Sequence, residues 1–137
     1  MRFSSRRFAL LGALIACVGL VASFPLLAGA ATKTSTVTVK ITPPNEFLFH
    51  LSSKKVPVGK VTFKVTNNGQ LPHDFELCSS NKGTTALNAC AGKTTPMIDP
   101  GQTKTLTVTV SKTGTYEYLC TVPGHAATGM KGVLTVK

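Results

Sequence analysis

Between Cys120 and Met130 the chain carries a thiol, an imidazole and a thioether in the pattern Cys-x4-His-x4-Met, with His125 in the middle. The intervening residues are mostly small or turn-forming: Pro123, Gly124, Ala126, Ala127 and Gly129. Nothing bulky stops such a loop from curling until all three donors face one centre. A thiolate and imidazoles with a weak thioether suit copper in both of its oxidation states, as a trigonal plane of two nitrogens and one sulfur with methionine on the axis. That plane needs a second imidazole. His73 is the candidate, because it follows Leu71-Pro72 just beyond the turn signal Asn67-Asn68-Gly69 and so opens a short strand at one end of the fold. The competitor, His50, sits among Phe47, Leu48, Phe49 and Leu51 with no turn beside it and reads as a mid-strand histidine. Zinc more often takes a further Cys or His, or keeps one position open for water. Four protein donors leave no open position, which argues against catalysis at the metal.

Cysteine arithmetic points to the same sulfur. The chain has Cys17, Cys78, Cys90 and Cys120. Residues 1–7 hold Arg2, Arg6 and Arg7 without an acid, an apolar run fills 8–27, and Ala28-Gly29-Ala30 follows, the three parts of an export signal. Domain boundaries are expected at 1–30 for that signal and 31–137 for one folded domain. Two alternatives stay open: lipidation at Cys17 within Leu14-Ile15-Ala16-Cys17, or an uncleaved anchor. Loss of Cys17 leaves three cysteines, an odd count in an oxidising compartment. Cys78 and Cys90 flank a polar, glycine-containing stretch that can fold back into a disulfide, and Cys120 is then the sulfur left over. The alternative, in which Cys120 pairs with Cys78 or Cys90, frees a different thiol and wastes the spacing behind it.

The elements that must position these donors read as strands. Val37, Val39 and Ile41 alternate with polar residues over 35–41, and Val61, Phe63 and Val65 do so over 60–66. Strands are also expected over 46–51, 73–78, 103–110, 114–120 and 132–137, separated by Pro, Gly and Asn turn signals. No stretch after residue 31 has sustained helical periodicity. Seven or so strands at this spacing predict an all-β, antiparallel Greek-key sandwich or barrel in a single domain. Tyr116 and Tyr118 alternate beside the site as packing residues, and Met97 is expected to pack too.

Charge limits the partners. The chain is +10, and the part after residue 30 holds twelve Lys against five acids, or +7, with no Arg. Scattered lysines without arginine exclude a reader of nucleic acid. They favour fast, steered encounter with acidic surfaces.

The 120–130 loop, with Gly59-Lys60-Val61-Thr62-Phe63, Asn67-Asn68-Gly69 and His73-Asp74-Phe75, resembles the type 1 blue copper proteins, the cupredoxins, and the loop is similar to that of rusticyanins and sulfocyanins. The resemblance implies a sandwich of about eight strands. It implies one copper per chain on His73, Cys120, His125 and axial Met130, and one-electron transfer between larger redox partners. The residue after the first histidine is often Asn in this family, where it ties the ligand loops together. Here it is Asp74, which can accept the same hydrogen bonds and adds a negative charge that favours Cu(II). A docking patch of Leu71, Pro72, Pro123, Ala126 and Ala127 is expected around His125. The expectations are thus an exported, monomeric, non-enzymatic carrier, periplasmic or on the outer face of the cytoplasmic membrane, with association to the membrane through the N-terminus. Its redox partners would carry acidic docking surfaces. The competing readings are copper storage or delivery, which wants exposed and exchangeable donors, and a metal-free sandwich module indifferent to copper.

Overall fold

Along β1 (Thr34–Thr42) Val37, Val39 and Ile41 are buried while Thr36 and Lys40 face solvent, so a single strand already has an inside and an outside. The same alternation buries Val61, Phe63 and Val65 on β4 (Gly59–Asn67) and Leu106 and Val110 on β7 (Thr103–Val110). The period of two puts these β-branched and aromatic side chains on one pleated face. The computed structural model of the chain describes residues 33–79 and 92–137. The expected signal over 1–30 lies outside them, as does Cys90.

Nine strands are described: besides the three above, β2 (Asn45–Leu51), β3 (Lys55–Val56), β5 (Glu76–Leu77), β6 (Lys93–Thr94), β8 (Gly114–Leu119) and β9 (Lys131–Val136). They form two sheets, ordered β2-β1-β4-β7 and β3-β9-β8-β5-β6. The inner faces meet in one core whose fully buried members include Phe63, Phe75, Ile98, Tyr118 and Leu134. Each such side chain contributes about 1.5–3 kcal/mol through burial. Phe75 is the hub, with ring centroids 5.0 Å from Phe63, 5.1 Å from Phe49 and 5.5 Å from Tyr118.

The all-β sandwich is as expected, and four details differ. The pairing is mixed and not wholly antiparallel: β1 runs parallel to β4, with β2 and β3 inside the crossover, and β3 runs parallel to β9. Strands β3 and β6 are two residues each, too short to carry a period. The strand expected over 73–78 shrinks to Glu76–Leu77, because His73 makes only a single bridge, to Ile98. Met97 stands 48% exposed, since its neighbours Thr95 and Ile98 take the inward positions.

Candidate metal centre

The site is assembled from two loops and one strand end. Asn67 closes β4 and is fully buried. Its side-chain amide donates to the carbonyls of Leu71 and Ile98, both at 2.8 Å, and its Oδ1 accepts the Gly69 amide at 2.9 Å. This one side chain turns the chain back and fixes where 71–73 begins. His73 is then held by reciprocal backbone bonds with Ile98, at 3.2 and 2.7 Å, and its ring is fully buried.

The second loop follows β8. Cys120 donates its amide to the Met130 carbonyl at 3.0 Å, and the Met130 amide donates to the His125 carbonyl at 3.0 Å, so the loop closes on itself. Gly124 and Gly129 sit at φ of +86° and +116°, a backbone region that side chains rarely enter, which explains glycine at these two bends. The Thr128 hydroxyl caps the turn on the His125 carbonyl at 2.8 Å.

Asp74 joins the two loops. Its Oδ1 accepts the Thr121 amide at 2.6 Å and its Oδ2 accepts the Thr121 hydroxyl. These are the loop-tying bonds expected of an Asn here, made by a buried carboxylate.

The donors converge. His73 Nδ1 lies 3.1 Å from His125 Nδ1, and Cys120 Sγ lies 3.6 Å from His125 Nδ1 and 4.0 Å from His73 Nδ1. All three atoms fall within 4.8 Å of one another, a spacing that could hold a metal ion. Met130 is fully buried in the same cluster as Cys120. Cys120 is a free thiol, whereas Cys78 is disulfide-bonded. The alternative pairing of Cys120 with Cys78 is thereby excluded. His50 is exposed on β2 opposite Lys40, as a mid-strand histidine should be.

The electrostatics fit a cation. Desolvation pushes the Cys120 thiol up to about 12, against the pull of the Asp74 and Val122 amides aimed at its sulfur. Burial, and then the neighbouring His73, push His125 down. Without a cation the pocket therefore favours a neutral thiol and a neutral His125 imidazole. Two imidazole nitrogens and a sulfur facing one another at 3.1–4.0 Å are a donor set that a soft cation can share once the thiol proton leaves.

Two neighbours were not foreseen as part of the site. Phe47 presents its ring edge-on to His125 at 5.1 Å and to His73 at 6.2 Å. Glu46 Oε2 accepts from the Gln70 and Leu71 amides at 2.7 and 2.9 Å and lies 3.3 Å from His73 Nε2. The Leu71 amide is the main reason the Glu46 carboxyl is held below its ordinary range. Both belong to β2, which is remote in sequence from either loop. The only sequence signal was the scarcity of acids after residue 30.

Residues 35–137 match the family described as copper binding proteins, plastocyanin/azurin family. A stretch of 42 residues, 31% of this chain, is 48% identical to auracyanin-B of Chloroflexus aurantiacus, and spans only 18% of that relative's length. Among solved structures, a dithionite-reduced auracyanin from the photosynthetic bacterium Roseiflexus castenholzii aligns with a TM-score of 0.55 at 26% identity, over 80% of this chain and 99% of that one. Rusticyanin from Thiobacillus ferrooxidans aligns with a TM-score of 0.54 at 26% identity, over 77% of this chain and 78% of that one.

Proposed function

Since this chain belongs to the copper-binding plastocyanin/azurin family, we propose that it carries single electrons between redox proteins, with His73, Cys120 and His125 as equatorial ligands and Met130 as the axial one. The observation that supports this most is the convergence of Cys120 Sγ and two imidazole Nδ1 atoms within 4.8 Å, from two separate loops. The cofactor is copper, which when bound supplies a Cu(II)/Cu(I) couple.

The chain's own part is rigidity and shielding. Low reorganisation requires donors that stay in place, and the Asp74–Thr121 bonds, the His73–Ile98 bridge and the closed 120–130 loop hold them from separate directions. His73, Cys120 and Met130 are buried, while His125 is only partly so and forms the rim that a partner meets. Around this end Leu71, Pro72, Pro123 and Ala127 are exposed, a set suited to brief docking. Ala126, expected in that patch, is fully buried and drops out of it, because the turn rolls its methyl group inward. The excess of lysine steers acidic partners without holding them. Export through residues 1–30, a location in the periplasm or on the outer face of the cytoplasmic membrane, a monomeric state, a Cys78–Cys90 disulfide and the absence of enzymatic activity complete the reading.

Cyclic voltammetry of the copper-loaded domain tests it. The expected result is a reversible one-electron wave with copper retained over many cycles. Release of the metal on reduction would instead make the protein a copper donor. The same measurement checks Asp74. Asp74→Asn keeps an acceptor for the Thr121 amide but removes a buried negative charge, so the potential is expected to rise. The size is about 50–120 mV, the one-electron equivalent of roughly 1–3 kcal/mol for a unit charge a few ångströms away at an effective dielectric near 20. An unchanged potential would show that the charge is compensated elsewhere.

A further inference from the structure

We propose that Glu46 is a positioning residue for His73: its carboxylate accepts the Nε2–H of the buried imidazole and so turns the Nδ1 lone pair toward Cys120 and His125. The inference rests on the reading of His73 as a copper ligand, and it adds to the site a third, separate piece of chain, the start of β2.

Three observations carry it. Glu46 Oε2 lies 3.3 Å from His73 Nε2 and is held there by two backbone amides, Gln70 at 2.7 Å and Leu71 at 2.9 Å. The carboxylate is therefore clamped and does not swing in solvent. Second, a carboxylate offers acceptor lone pairs only, so the facing ring nitrogen must be the one bearing hydrogen. A neutral imidazole then has a bare nitrogen at Nδ1, and that atom lies 3.1 Å from His125 Nδ1 and 4.0 Å from Cys120 Sγ. Third, the surrounding chain leaves room for this carboxylate. A Cβ at Gly69 would displace Glu46 Oε2 from where it now sits, so the absence of a side chain there leaves the carboxylate its place. Phe47, the next residue along β2, meets the same ring edge-on at 6.2 Å. Adjacent residues of one strand thus fix both the tautomer and the tilt of His73.

Partners of this kind stabilise the ring orientation a metal needs and strengthen the donor nitrogen. The fixed negative charge also favours the more highly charged Cu(II). Loss of that charge is expected to lower the preference for Cu(II) over Cu(I) roughly tenfold, which is about 59 mV upward for a one-electron couple.

Two variants and two readouts test the proposal. In the metal-free protein, nitrogen-15 spectra of the imidazoles are expected to show His73 as the Nε2–H tautomer, and Glu46→Ala to show a mixture. In the copper-loaded protein, the isosteric Glu46→Gln, which keeps the packing, is expected to raise the potential by that amount. A merely structural role would lower thermal stability and move neither readout. An unchanged tautomer in Glu46→Ala, or an unchanged potential in Glu46→Gln, overturns the inference. The tautomer readout needs no copper. A wild-type protein that takes up no copper would sink the ligand reading of His73, and the nitrogen spectra would still decide whether Glu46 orients the ring.

Discussion

Cys120→Ala is expected to abolish the intense visible absorption of the copper-loaded protein while the metal-free variant keeps the far-UV spectrum of the wild type. The band belongs to charge transfer from a thiolate to Cu(II), and Cys120 is the free sulfur among the described residues. It is fully buried, with both candidate imidazoles within 4.0 Å. No neighbouring group can replace it. Cys78 is committed to a disulfide. The effect is therefore a complete loss and not a graded one. The raised thiol adds a second signature. With its value pushed up to about 12, Cys120 is protonated at neutral pH in the metal-free state, and loading must expel that proton. The sign follows: as pH falls, protons compete for the sulfur and copper binding weakens. Calorimetry in buffers of different ionisation enthalpy should find about one proton fewer released per copper in the alanine variant than in the wild type. Equal release in the two proteins would mean that the thiol is not the group displaced.

Phe75→Ala is expected to cost about 3–5 kcal/mol of folding free energy, the usual range for removing a fully buried phenylalanine. Phe75 has no exposed surface and touches three other rings, edge-on to Phe49 at 82°, tilted to Phe63 at 36° and stacked on Tyr118 at 24°. Those partners come from β2, β4 and β8 of the two sheets, so the cavity opens where the sheets meet and no single loop can collapse into it. Phe75 also lies one residue from Asp74 and two from His73, and its amide is anchored on the Thr95 hydroxyl at 3.1 Å. Looser copper retention should accompany the loss of stability. Urea denaturation of the metal-free domain measures the first quantity, and the shift of midpoint at constant slope separates stability from a change in compactness. A cost below about 1 kcal/mol would show that the core relaxes around the missing ring. Phe75→Leu fills most of the volume and should cost clearly less.

The two effects differ in kind, and that difference tracks what can be read from the chain alone. Donor chemistry is local. Cys120, His125 and Met130 lie within eleven consecutive residues, and the small residues between them state that the loop can close, so three of four proposed ligands were legible as a group. His73 was legible by a weaker route, as an imidazole just past a turn. Strand alternation was equally local, and β1, β4, β7, β8 and β9 appear within a residue or so of where their patterns place them.

Pairing is not local. Nothing in the alternation of β1 says that it runs parallel to β4, because the period of two is the same in either direction. Two-residue strands such as β3 and β6 have no period at all. The same limit hid Glu46 and Phe47. Their role comes from β2 passing beside the 70–73 turn and the His125 ring, a contact that exists only once the sheets are stacked. The burial of Ala126 beside exposed Ala127 was decided likewise by the way one turn rolls. By itself the sequence determined which atoms could bind a metal and that strands would carry them. The tertiary structure decided which distant residues orient those atoms, since orientation depends on neighbours that only long-range packing supplies.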